Sequence, residues 1–401
     1  MLQVLSLFSL CIKSTKDAIL DGHVITKRVC DLPSDLLDKI MPILPPLALQ
    51  NLQDETVYLR NASCNIWKLI YSRRRSRWKA LYISRWEPPQ NSLVETNWQQ
   101  IYWEKHLQSC LDATWRAFSD TSFDGFLGDI DLPDSVLNYI SDEGHASRSN
   151  SYSKLISHFE RVGQYARCLS LQTVHYVAEL DRLFKKCQLQ YLEINLLTSK
   201  KQVEGLCKLL EQKKETLASL EFVGCKLPAH LVTEICESLH VKGFETNVIK
   251  TISNLTTLVL SENRISSKTA KMLFYTLLDV ESGLEVLDLS NNNGSPWLSF
   301  NELLGLLDYA SCMIPIEDAN GFVWTVCLEG GEAWNLIPYL TEKSRRETPL
   351  TELYLENCWI SCCGASQLLN VLAACKVSLK SLSIGHNRLS RLVSRETYAS
   401  F

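Results

Sequence analysis

The chain lacks the signatures by which most enzymes and metal proteins announce themselves. Only 16 of its 401 residues are glycine, and no Gly-x-x-x-x-Gly-Lys occurs, so nothing is built to cradle a nucleotide phosphate. There is no Gly-x-Ser-x-Gly elbow and no His-Glu-x-x-His pair, which removes the commonest hydrolase and metalloprotease readings. Not one Cys-x-x-Cys occurs among 15 cysteines, so the paired-ligand framework of a structural zinc site is missing. No apolar run reaches the length of about 18 residues that a membrane helix needs. A net charge of −4 gives no general attraction to nucleic acid. Neither an enzymatic activity nor a cofactor is expected.

The cysteine count is odd and the residues are scattered, which suits reduced thiols in a cytoplasmic or nuclear compartment. Met1 to Ile12 is largely apolar but has no basic leader before it, and Lys13 and Lys16 stand where a small-residue cleavage site would follow. It is therefore not read as a secretion signal. The sequons at Asn61, Asn254 and Asn293 occur at about the chance rate and carry no argument. Four arginines among residues 73–77 form a basic run, read first as a solvated helix face and second as a nuclear-import signal.

What is present is a spaced leucine pattern in the C-terminal half. It runs Leu255, Leu258, Leu260, Asn263, Ile265, then Leu284, Leu287, Leu289, Asn292. It returns as Leu350, Leu353, Leu355, Cys358, Ile360, and as Leu379, Leu382, Ile384, Asn387, Leu389. A looser copy is Leu217, Leu220, Phe222, Cys225, Leu227, and weaker ones start at Leu189 and at Val323, Val326, Leu328. The copies at Leu255 and Leu284, and those at Leu350 and Leu379, are each 29 residues apart. This is the leucine-rich-repeat pattern in its long, helix-backed form, similar to ribonuclease-inhibitor-type repeats. Alternation along a strand turns Leu258 and Leu260 inward and Thr257, Val259 and Ser261 outward. The following stretch, 266–280, places Ala270, Leu273, Leu277 and Leu278 on one helical face, and 364–375 does the same with Ala365, Leu368, Leu369 and Leu372. Gly330 and Gly331 read as the turn leaving a weak repeat strand.

The expected fold class is α/β: an all-helical N-terminal module, then a solenoid with parallel strands on its concave face and helices on its convex face. Residues 1–118 form the helical module and 119–150 an acidic, polar linker. Residues 151–188 form a helical cap, with Leu155, Phe159, Val162, Tyr165 and Leu169 at helical spacing. Residues 189–401 carry the repeats. The pattern stops in SRLVSRETYASF, too little for another repeat and a cap, so Leu382, Ile384 and Leu389 are expected to be incompletely covered and the chain to be cut short.

The first 118 residues read as short helices broken by proline and polar turns. Ser6, Leu7, Cys11 and Thr15 have the spacing of a BC-box, and Leu32, Pro33, Leu36 and Ile40, about twenty residues on, that of a cullin box. Trp67, Trp98 and Tyr102 follow in helical segments. Together these resemble the adaptor module of elongin A and related substrate receptors of cullin–RING ubiquitin ligases. Thr15 departs from the family, which prefers an aliphatic there. The resemblance implies that Ser6, Leu7, Cys11 and Thr15 bind elongin C and that Leu32, Pro33, Leu36 and Ile40 contact a cullin. An F-box opens with the same Leu-Pro and acidic residues, and would imply a Skp1-type adaptor instead. A plain helical cap, or an interaction scaffold with no ubiquitin role, also fits the residues.

The repeats would then present the substrate surface. Its candidate residues are Tyr191, Glu193, Glu221, Thr257, Asp288, Ser290, Glu352, Tyr354 and Glu356, with Ser219, Ser261, Val286, Ser381 and Ser383 beside them. Five of these are acidic and none is basic, which favours a protein with a basic patch and makes nucleic acid an unsuitable partner.

Overall fold

The computed structural model describes residues 7–20, 36, 39–58, 66–89, 97–118, 151–172, 180–197, 200–225, 234–235, 238, 254–265, 269–270, 273–274, 277, 283–292, 313–317, 323–327, 336, 339–340, 343, 350–360, 362–374, 379–387 and 389. The described residues divide into two compact units, one up to Ala166 and one from Arg167. The 119–150 linker and the Gly330–Gly331 turn lie outside the described residues.

The first unit is helical: α1 (Leu7–Leu20), α2 (Pro46–Tyr58), α3 (Ile66–Ile83), α4 (Trp98–Phe118) and α5 (Ser151–Val162), with single 3-10 turns at Met41–Ile43 and Gly163–Tyr165. Its core follows from the spacing on α4, where Trp98, Tyr102, Trp103, Leu107, Cys110 and Leu111 recur every three or four residues and are all buried. Trp78 of α3 meets Tyr102 and Trp103 with ring centroids 5.1 and 5.6 Å apart, in tilted geometry that suits the ring quadrupoles. The glutamine, tryptophan and tyrosine groups of this core pair with one another. Trp103 Nε1 donates to Gln50 Oε1 at 2.8 Å and Gln99 Nε2 to the same oxygen at 2.6 Å. Gln50 and Gln99 each donate to the Tyr165 hydroxyl, at 3.0 and 2.8 Å. Of the basic run, Arg77 is half-buried and donates Nη2 to the Leu44 carbonyl at 2.9 Å, whereas Arg75 is exposed.

The segment read as a cap, 151–188, is split by the structure. Helix α5 belongs to the first unit, where Phe159 and Val162 are fully buried. Leu169 lies not on a helix but on β1 (Cys168–Leu171), the first strand of the second unit. The switch is visible in burial: Leu169 and Leu171 are buried at every second position, the period of a strand.

In the second unit β1 is followed by α6 (Leu180–Leu183), β2 (Tyr191–Ile194), α7 (Lys200–Lys213), β3 (Ser219–Phe222), β4 (Thr257–Val259) and β5 (Val286–Asp288). After these come β6 (Met313–Glu317), β7 (Val323–Cys327), β8 (Glu352–Tyr354), α8 (Cys362–Ala374) and β9 (Ser381–Ser383). Seven strands form one parallel sheet in the order β1-β2-β3-β4-β5-β8-β9. The copy expected at Val323 and Val326 does not enter it: β7 pairs antiparallel with β6 in a separate two-stranded sheet, and β5 pairs directly with β8. The sequence between them, DANGF, contains the Asn-Gly pair that favours a hairpin over a parallel crossover.

The sheet is held in register by its leucines. Leu169, Leu192, Leu220, Leu258, Leu287, Leu353 and Leu382 are successive partners, and all but Leu382 are buried. A one-residue slip of any strand would turn these side chains to the other face. Helix α7 buries Val203, Leu206, Leu209 and Leu210. Its last residue, Lys213, donates Nζ to the carbonyls of Lys185 and Cys187 at 3.1 and 2.8 Å. Ala270, Leu273 and Leu277 are buried helical residues; Leu278 lies outside the described residues. Leu382, Ile384 and Leu389 are only partly covered; among the described residues β9 has a strand neighbour on one side alone. No described helix is long and apolar enough to cross a membrane.

Candidate functional site

Register builds one surface from residues far apart in the chain. Cys168, Tyr191, Ser219, Thr257, Val286, Glu352 and Ser381 form one row across the sheet; Ser170, Glu193, Glu221, Val259, Asp288, Tyr354 and Ser383 form the next but one. Both rows lie opposite the buried leucines, and neighbouring strands stand about 4.8 Å apart. Neither row contains a lysine or arginine.

The carboxylates share hydroxyl donors. The Tyr191 hydroxyl lies 2.9 Å from Glu221 Oε2 and 3.2 Å from Glu193 Oε2. A phenol has one proton, so it serves one of these carboxylates at a time. Tyr354 donates to Glu352 Oε2 at 2.7 Å, and the Ser383 hydroxyl donates to Glu356 Oε1. Partial burial raises the Glu221 carboxyl above the ordinary range; Tyr191 opposes the rise, and the charges of Glu193 and Asp288 add to it. The Tyr191 hydroxyl is raised as well, by burial first and then by the two glutamates. This face is an anionic surface whose charges lack cationic partners within its own rows.

Ser290, counted with the outward residues, is buried at 8 % exposure. Its hydroxyl accepts the Glu356 amide at 3.2 Å, and its own amide donates to Asp288 Oδ1 at 2.8 Å. It shapes the turn after β5 and is not part of the surface. Thr257 is half-buried within its row.

Of the adaptor residues, Ser6, Leu32 and Pro33 lie outside the described residues. Leu7 starts α1, and its side chain is outside the description. Cys11 is exposed, next to Leu10, which at 48 % exposure is among the most open large apolar residues described. Thr15 Oγ1 donates to the Cys11 carbonyl at 2.8 Å, a bond within its own helix. Leu36 is partly exposed, while Ile40 is buried at 2 % and belongs to the core in this structure.

Sequence reasoning passed over a buried group in the first unit. His106 Nε2, Cys110 Sγ and His158 Nε2 all lie within 4.8 Å of one another. The ligand types suit a soft metal ion, but the surroundings do not. Arg85 Nη1 stands 3.2 Å from His106 Nδ1, and a guanidinium can only donate. His106 Nδ1 is therefore a lone-pair acceptor and its proton sits on Nε2, the atom a metal would require. A metal-bound imidazole normally donates from its other nitrogen to a carboxylate or carbonyl, the reverse of this contact. Burial also pushes the Cys110 thiol up to about 12. The group is a hydrogen-bonded pair of neutral imidazoles, with Nε2 atoms 2.9 Å apart.

No protein-family model matches the chain, and no curated protein matches it.

Proposed function

We propose that this chain is a non-enzymatic substrate receptor, a leucine-rich-repeat solenoid that binds a cationic protein and an N-terminal module that docks a ubiquitin-ligase adaptor. The carrying observation is the sheet face. Glu193, Glu221, Asp288 and Glu352 are gathered there on strands held in register, with Glu356 in the turn just after β8 and tyrosine and serine hydroxyls as donors. Like charges at this spacing repel, and a partner's arginine or lysine would relieve several of them at once. Residues that serve only the core have no need of this arrangement.

The adaptor half of the proposal rests on the elongin-A-like spacing and on the openness of Leu10 and Cys11 on α1. Helix-in-groove docking uses such open apolar positions as anchors. The reading with elongin C needs α1; the F-box-type reading with a Skp1-type adaptor does not.

The deciding experiment is co-precipitation of full-length chain with elongin C, a Skp1-type adaptor and cullins. It compares wild type, a 1–20 deletion, and the triple reversal Asp288→Lys, Glu352→Lys, Glu356→Lys. Adaptor capture lost only by the deletion, and client capture lost only by the reversal, is the expected result. Capture of neither adaptor by wild type refutes the ligase role. An unchanged client list from the folded reversal refutes the sheet face as the binding surface.

A further inference from the structure

The buried imidazole pair has a protonation order fixed by its neighbours. Arg85 donates into His106 Nδ1 and also to the Tyr102 hydroxyl at 2.7 Å, and its guanidinium stacks 4.4 Å from the Trp86 ring centroid. His106 therefore points its single proton from Nε2 to His158 Nε2. His158 Nε2 accepts, and its own proton resides on Nδ1. Each basic nitrogen of the pair is thus already faced by a donor. An added proton on His158 Nε2 would meet the His106 N–H, and one on His106 Nδ1 would meet Arg85.

The charged and titratable groups around the pair favour the neutral form. Arg85, beyond the end of α3, and Arg161, on α5, are both positive and oppose further charge. From α4, Tyr102 stacks on His106, and the buried thiol of Cys110, with Asp112 acting on it, lies 3.7 Å from Nε2. From the turn after α5, the Tyr165 hydroxyl is engaged by Gln50 and Gln99; Asp54 of α2 accepts from Gln50, and Asn51 from Arg161. Trp103 packs its edge against both rings. His106 and His158 are each under 4 % exposed, so water cannot solvate a new charge in place.

We propose that His106 and His158 form a proton-operated latch between α4 and α5, closed while one proton bridges the two rings and released when a second is taken up. Helix α5 is the piece that would move, because Arg85 and Tyr102 hold His106 on its own helix, whereas His158 comes from the other. Release under weak acid would loosen the last helix of the first unit. The latch is independent of what the sheet face binds.

Hydrogen exchange of the full chain at pH 7.5 and 5.5, corrected for intrinsic amide chemistry, tests this. Burial and Arg161 lower His158 to about 4. A group of that kind, with an ordinary value of about 6.5 once exposed, weakens the closed state about tenfold at pH 5.5, and two such groups weaken it up to about a hundredfold. Protection in α4 and α5 should fall by that factor relative to α7, the internal reference. His158→Gln keeps an acceptor for the His106 proton but cannot be protonated, so most of the acid sensitivity should vanish. His158→Asn serves as a second non-titrating variant should the first not fold. Protection in α4 and α5 that falls no further than α7 in wild type overturns the proposal. So does an equal fall in wild type and either variant. A rise in protection on adding zinc at pH 7.5, reversed by a chelator, would also overturn it by showing a metal site.

Discussion

Asn263 and Asn292 are linked as successive rungs of one ladder: the Asn263 amide donates to Asn292 Oδ1 at 3.0 Å. Asn292 Nδ2 in turn donates to the Leu260 carbonyl at 2.9 Å and the Leu289 carbonyl at 2.6 Å. Asn263 repeats the pattern one strand earlier, accepting the Cys225 amide at 2.7 Å and donating to the Phe222 carbonyl at 2.7 Å. Asn387 does the same after β9 toward Cys358 and Leu355. Each side chain satisfies buried backbone groups of two adjacent turns, where the chain bends through left-handed residues such as Glu262, Asn291 and Asn357.

Replacing Asn292 by Ala should therefore destabilise the second unit by about 3 kcal/mol, because several buried donors and acceptors lose their partners together. Urea unfolding followed by hydrogen exchange of β4 and β5 would read the loss. A change below about 1 kcal/mol would mean that water replaces the side chain without penalty.

Cysteine fills the same position twice, with a weaker donor and a weaker acceptor. Cys358 Sγ donates to the Leu289 carbonyl at 3.1 Å, and Cys225 Sγ to the Ile194 carbonyl at 3.2 Å. The Asn292 amide also faces the Cys358 sulfur, but a thiol is a weak acceptor and gives that amide less than Asn292 Oδ1 gives Asn263. Cys358→Asn should raise the stability of the second unit by about 1 kcal/mol, the net worth of a buried hydrogen bond. A fall in stability would show that the site, 2 % exposed, has no room for the amide.

The strand alternation and the asparagine rungs were legible because they repeat; what escaped detection was short or non-local. In β1, the alternation of Leu169 with Leu171 lasts only four residues, and Val162, Tyr165 and Leu169 happen to continue a helical spacing across the break. Ser290 was placed outward by extending alternation past β5, but the chain turns there and Asn291 has φ 59°. The β6–β7 hairpin had a signal in Asn320–Gly321, hidden by the expectation that a repeat should fill the gap. His106 and His158 are 52 residues apart, and no local pattern joins them; only the packing of α4 on α5 does.

Cys11 offers a direct reading of adaptor docking. It is exposed, as is Cys168, while Cys110, Cys187, Cys225 and Cys358 are buried thiols pushed up to about 12. Reactivity requires access and thiolate, so the buried four should resist alkylation in the folded chain. Among the described cysteines, maleimide should label Cys11 and Cys168 first, and saturating elongin C should slow Cys11 but not Cys168 by about tenfold or more. Equal labelling of Cys11 with and without elongin C would separate α1 from the adaptor contact.

Glu221 tests whether the sheet face is held at a cost to the fold. Its carboxyl is raised by burial, with Glu193 and Asp288 adding to the rise, so ionising it is harder in the folded chain than in the unfolded one. The sign follows: the favourable contribution is complete below the unfolded value of about 4.3 and is lost as pH climbs through the higher folded value. At neutral pH Glu221 therefore weakens the second unit. Glu221→Gln keeps an oxygen to accept the Tyr191 proton and removes the charge. It should stabilise the unit at pH 7, by less than about 1 kcal/mol because the group is partly solvated, and the gain should shrink toward zero near pH 4. Urea midpoints across that range would show it. The same variant should bind a cationic client less tightly, the usual trade between stability and a working surface. A variant that is neither more stable at pH 7 nor weaker in client capture would mean that Glu221 is an ordinary surface carboxylate, and that the anionic face has no function at that strand.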